Sequence, residues 1–133
     1  MDKTSKGLWY FAHPYTATDA EGNYVPAAED ANFALANMRA GELMKRGYNL
    51  YSPISHTHPI HKATPDFLKR HEHDMWYHLD NEFIKETNFL GIILAPGWEH
   101  SKGCLAELDL FKKQNKPARH YDNCLSGIYD RKR

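Results

Sequence analysis

Residues 7–13, GLWYFAH, form an apolar and aromatic run with no sustained alternation, the pattern of a buried strand. Turn-forming residues follow at DAEGN, 19–23. From Pro26 to Arg46 the spacing becomes helical. Ala31, Ala34, Leu35 and Met38 fall on one face, and Leu43 and Met44 extend it. Pro26 suits a first helical turn and Gly47 a C-terminal cap. YNLYSPI, 48–54, reads as a second strand closed by its proline. Residues 55–73 show no period and hold two prolines and five histidines, which predicts a long lid loop or a disordered segment. A second helix is expected over about 74–87, with Trp76, Leu79, Phe83 and Ile84 on one side. NFLGIILAP, 88–96, is the clearest strand. A third helix over about 101–115 carries Cys104, Leu105, Leu108 and Phe111, and PARHYD, 117–122, is a candidate last strand.

Strands that alternate with amphipathic helices predict βαβ units, hence an α/β fold with a parallel sheet, helices on both faces and right-handed connections. Ligands in such folds bind beyond the carboxyl ends of the strands. The loops after Tyr10, Pro53 and Pro96 all open on that edge. At 133 residues the chain is expected to form a single domain over 1–133.

Composition narrows the partners. Seventeen Lys and Arg balance seventeen Asp and Glu, so there is no electrostatic footprint for a nucleic acid polymer or an anionic membrane. Cys104 and Cys124 form no metal-type or redox-type pair. MDKTSKGLWYFAHPY lacks the apolar core of a signal peptide, and FLGIILAPGW is too short to span a bilayer. The expected setting is the cytoplasm.

Two acids break the helical pattern. Glu107 lies three residues after Cys104 and four before Phe111, and Asp80 lies four after Trp76 and four before Ile84. Each should share the apolar face of its helix. A buried, unpaired carboxylate costs several kcal/mol or takes up a proton. One reading pairs each acid with a cation at the sheet edge. The other lines a cleft with both, where carboxyls in different environments can divide nucleophile and acid roles. PGWEHSKGCLAEL adds a strand, a Pro-Gly turn and a helix start at Ser101. Exposed N–H groups there suit an anion or a polar oxygen, with Gly103 permitting close approach.

These segments resemble the nucleoside 2-deoxyribosyltransferase-like superfamily, within a branch of small bacterial and phage proteins. YFAHPYT, SPISHTHPI, DMWYHLD and LAPGWEHSKGCLAEL carry the likeness in order across residues 8–116. The resemblance implies a flavodoxin-like three-layer fold and cleavage of the N-glycosidic bond of a deoxynucleoside or its 5′-monophosphate, by hydrolysis or by transfer to a second base. By position it makes Glu107 the nucleophile and Asp80 the acid at the base. It makes Tyr10 the hydroxyl that orients Glu107, and places Ser101 at the sugar 5′ oxygen or its phosphate. It also implies a homodimer or higher homo-oligomer, with the tail YDNCLSGIYDRKR a candidate for exchange between subunits. The chain departs from the family pattern at His13, where a small glycine is common, and at Thr87-Asn88, where an acid often precedes the central strand.

Tyr15 and Trp98 follow strand ends, where each can stack on a base or pack at the edge of the core. Trp9 and Trp76 read as core. Lys102 can neutralise a phosphate or simply be solvated. His56-Thr-His58 and His71-Glu-His73-Asp74 offer ligand types suited to zinc, but HExxH spacing is absent. No metal and no cofactor is therefore expected. The alternatives to the glycosidase are a nucleotide-binding module without turnover, suggested by His13, and a metal-dependent hydrolase built on the histidines.

Overall fold

The computed structural model describes residues 7–64 and 72–126. In chain order the strands are β1 (Trp9–Ala12), β2 (Leu50–Tyr51), β3 (Gly91–Leu94) and β4 (Ala118–His120). The helices are α1 (Pro26–Lys45), α2 (Pro53–Ala63), α3 (Glu72–Glu86), α4 (Lys102–Lys113) and the short α5 (Tyr121–Cys124). The strands form one parallel sheet of order β2-β1-β3-β4, with Trp9 opposite both Leu50 and Gly91, and Leu94 opposite His120. The α/β three-layer, flavodoxin-like architecture expected above is the one observed.

Every residue of β1 and β3 is buried, as parallel strands covered on both faces require. Side chains alternate across the sheet. Trp9, Phe11 and Ile93 pack with Ala40 and Leu43 of α1 and with Tyr121 and Cys124 of α5. Tyr10, Ala12, Ile92 and Leu94 pack on the other side with Ile84 of α3 and with Cys104, Leu108 and Phe111 of α4. Gly91 is fixed by close approach: a Cβ there would stand 2.3 Å from the Pro117 carbonyl oxygen and 2.7 Å from the Trp9 ring.

Several expectations are corrected. Residues 55–63, expected as loop, and Pro53 and Ile54, expected to end the second strand, form one helix. Pro53 sits in the first helical turn, where its fixed φ favours a helix, and Pro59 lies on an exposed face where water can satisfy the carbonyl that its missing N–H leaves free. Residues 65–71 of the expected lid lie outside the described residues. The buried face of α1 is Glu29, Ala36, Ala40 and Leu43, whereas Met38 and Met44 are 57% and 56% exposed. Alanines on every side of that helix leave its phase ambiguous. Leu105 is likewise exposed on α4. Of the tail, Tyr121 and Cys124 lie in this chain's own core, and residues 127–133 lie outside the described residues. No described helix is long and apolar enough to cross a membrane.

Candidate active site

The sheet order reverses between β1 and β3, because β1 leads across to β2 on one side and β3 continues on the other. Loops leaving that point diverge and leave a crevice. Gly97, held at φ +90°, lets the loop after β3 turn back against Pro14 of the loop after β1. The crevice is a cleft of about 890 Å³, its open mouth included, with walls from the β1 loop, α1, α2, α3 and α4.

Its floor holds two acids, backed by a buried tyrosine. Tyr10 is wholly buried on β1, its ring held by Phe89 and Phe111 at centroid distances of 5.4 and 5.5 Å. Its hydroxyl donates to Glu107 Oε2 at 2.5 Å. Cys104, Leu108 and Phe111 anchor α4 in the core, and the half-buried Glu107 between them lines the cleft. Asp80, from α3, lines it too and shares a hydrogen bond with Glu107. Asp80 Oδ1 is buried without a hydrogen-bond partner among the described residues.

The electrostatics follow from that crowding. Burial pushes Asp80 up to about 7, while its hydrogen bond with Glu107 pulls it down. Burial also raises Glu107 well above its usual range, and the neighbouring Asp80 charge adds to this. The Tyr10 hydroxyl, by donating to the ionised form, opposes both. The two carboxyls titrate together, both held above the ordinary carboxylate range. Tyr10 itself is raised, first by burial and then by both acids, so its O–H stays intact as a donor. Burial, with a smaller contribution from Glu107, likewise pushes the Cys104 thiol up to about 12, which keeps it from acting as a thiolate.

Two networks shape the walls. His13 Nδ1 donates to the Pro14 carbonyl at 2.8 Å, which leaves Nε2 to accept from Arg39 at 2.9 Å. Burial and the Arg39 charge lower the His13 pKa, so the ring is neutral. Tyr15 places its hydroxyl between His58 Nδ1, at 2.6 Å, and His61 Nδ1, at 3.0 Å. His58 Nε2 meets Asp30 Oδ1 at 3.0 Å. With burial lowering its pKa, His58 is neutral, donates to Asp30 and accepts from Tyr15. This chain of bonds ties α2 to the β1 loop and to α1.

Of the residues singled out from the sequence, Tyr10, Glu107 and Asp80 come together, and His13, Tyr15 and Gly103 line the same cleft. Ser101 and Trp98 do not. Ser101 caps α4, its Oγ accepting from Cys104 N at 3.2 Å. Trp98 is half-buried against the core, its ring 5.7 Å from that of His120. Lys102 is exposed. Trp76, expected in the core, is instead half-buried on the cleft wall. It lies one turn before Asp80, so its place on the acid's own stripe was the signal for a cleft position. His56 and His58 turn to different partners, Tyr51 for the first and Tyr15 with Asp30 for the second. His71 lies outside the described residues, as do the side chains of His73 and Asp74. Among the described residues no group of three potential ligands is placed to hold a metal. Glu29, His61 and Asn81 also line the cleft, and no spacing in the sequence marks them.

The family model described as "Domain of unknown function (DUF1937)" matches residues 7–123, a span that includes all of these residues. A search of the curated proteins finds no match.

Proposed function

The chain belongs to the DUF1937 family, and from that premise we propose that the cleft cleaves the N-glycosidic bond of a deoxynucleoside or its 5′-monophosphate. The carrying observation is the constellation at the floor: two carboxyls from separate helices meet in an open cleft, with a tyrosine donating to one of them. The likeness of YFAHPYT, DMWYHLD and LAPGWEHSKGCLAEL to the nucleoside 2-deoxyribosyltransferase-like superfamily supports the same reading.

A sugar entering between Asp80 and Glu107 separates the pair. The Tyr10 hydroxyl favours negative charge on Glu107, so the proton goes to Asp80. Glu107 then attacks the anomeric carbon, forming a C–O ester bond as the C–N bond breaks. The bonding electrons leave with the base, which takes the proton from Asp80. Water, or a second base, then attacks the anomeric carbon and gives its proton to Asp80, while the C–O ester bond breaks and Glu107 leaves as the carboxylate. The neutral ring of His13 and the hydroxyl of Tyr15 bound the space above.

The test is incubation with the deoxynucleosides and their monophosphates while free base is followed. Base release that Glu107→Ala abolishes is expected. No release by the wild type across the panel, or release that the variant leaves undiminished, overturns the proposal. One observation favours a second reading, a nucleotide-binding module without turnover: the ring of His13 is buried and fixed by Arg39 at the start of the first loop. Saturable nucleotide binding with no release of base selects it.

A further inference from the structure

The inward stripe of α3 changes character along the helix. Ile84 is buried in the core, and Asp80, one turn earlier, lines the cleft. Trp76, one turn earlier again, is half-buried and lines the same wall. Residues four apart on a helix share a face, with their Cβ atoms about 5–6 Å apart. That is close to the width of a single aromatic ring. A ring that meets the Asp80 carboxyl with one edge therefore lies within reach of the Trp76 indole.

The protein's own packing does not use up that indole. Phe83, also on α3, stacks on Tyr51 with centroids 4.5 Å apart and planes 23° from parallel. Trp76 instead meets the His61 ring at 6.5 Å and 60°, an edge contact. An indole has two faces, and a neighbour at that angle covers at most one. The α2 wall brings Pro53 and Ile54 to the same cleft, apolar side chains suited to the other side of a flat ligand. We infer that Trp76 is the platform on which the substrate's base stacks, and that it favours the base as it becomes protonated. The inference rests on the glycosidic reading above for the identity of the ligand, but stacking itself requires no turnover. As Asp80 passes its proton to a ring nitrogen, positive charge develops on the base while the C–N bond breaks. The face of an indole attracts a cation, so the contact strengthens on the way to the transition state. Trp76 then acts on kcat as well as on KM.

The experiment titrates adenine, guanine, cytosine and thymine into the full-length wild type, Trp76→Phe and Trp76→Leu. Affinity and tryptophan fluorescence are followed, alongside cleavage of the matching deoxynucleosides. Base binding should quench the wild-type emission, and the quench should vanish in Trp76→Phe although Trp9 and Trp98 remain. Trp76→Phe keeps an aromatic face and should bind within about threefold of wild type. Trp76→Leu keeps apolar bulk without that face and should weaken binding about tenfold or more. Where turnover is present, kcat should fall further in Trp76→Leu than in Trp76→Phe. Equal losses in the two variants would mark Trp76 as merely structural and overturn the inference. So would wild-type affinity in Trp76→Leu, or no base bound by the wild type. Base release that neither variant alters would remove the inference and leave the cleavage reading standing. The expected binding pattern with no base released would do the reverse.

Discussion

Tyr10 concentrates several roles in one side chain. Its ring is part of the core between Phe89 and Phe111, while its hydroxyl is the donor that stabilises an ionised Glu107. Tyr10→Phe separates the roles, because the ring stays packed and only the donor goes. Without that hydrogen bond the Glu107 carboxyl is raised further, so a smaller fraction is ionised at any given pH. Activity should fall about 10- to 100-fold, and the acid limb of the kcat/KM profile should move to higher pH. A profile that drops without shifting would show that the hydroxyl does not tune Glu107. The acids could be found in the sequence because a carboxylate within an apolar stripe conflicts with ordinary helix patterning. Asn81 and His61 raise no such conflict. An amide or an imidazole is at home on a half-exposed face, so only the closure of the cleft around them gives them meaning.

Among the elements, the strands, the capped α4 and the span of α1 are legible in the sequence, whereas the rotation of α1 and the existence of α2 are not. β1 and β3 are buried on both faces, so their apolar runs have one interpretation. In α1, Ala31 and Ala34 are apolar yet exposed, and Ala36 and Ala40 are apolar and buried. Such small residues do not fix a helix's rotation; contact with Phe11 and Ile93 of the sheet does. In α2 the interior Pro59 reads as a breaker, but the helix persists because Tyr15 and Asp30, both outside it, bond its buried His58. Proline in a helix interior costs up to about 3 kcal/mol relative to alanine, partly offset by its stiffening of the unfolded chain. Pro59→Ala should therefore stabilise the protein by about 2 kcal/mol, read as a higher Tm; an unchanged Tm would mean that α2 is bent to suit its proline. At the start of α4, Ser101→Ala should cost about 1 kcal/mol through loss of the cap to Cys104 N, with Ser101→Asn restoring most of it.

At the scale of the whole molecule, the acidic pair makes folding depend on pH in a direction opposite to that of a paired surface carboxylate. The ordinary value of an aspartate is 3.8, and Asp80 is pushed up to about 7 in the folded protein, mainly by burial. Below pH 4 it is protonated in both states and its contribution to folding is fully present. Between pH 4 and pH 7 the folded state holds a proton that the unfolded chain has released, so stability declines as pH rises through that window. His13 and His58, both lowered by burial, act in the other sense below their usual value of 6.5, since protonation of the unfolded chain there draws it away from the native state. A wild-type curve alone therefore mixes opposing slopes. The difference between Asp80→Asn and wild type cancels the histidines and leaves the acidic pair, since removing the Asp80 charge also relaxes Glu107. That difference should grow in favour of the variant between pH 4 and pH 8, by on the order of 2–4 kcal/mol, as measured by denaturant unfolding at each pH. A difference that stays flat would show that Asp80 ionises as freely as in the unfolded chain. The predicted gain in stability should accompany a loss of base release, because the carboxyl whose burial costs stability above pH 4 is the one from which the departing base is proposed to take its proton.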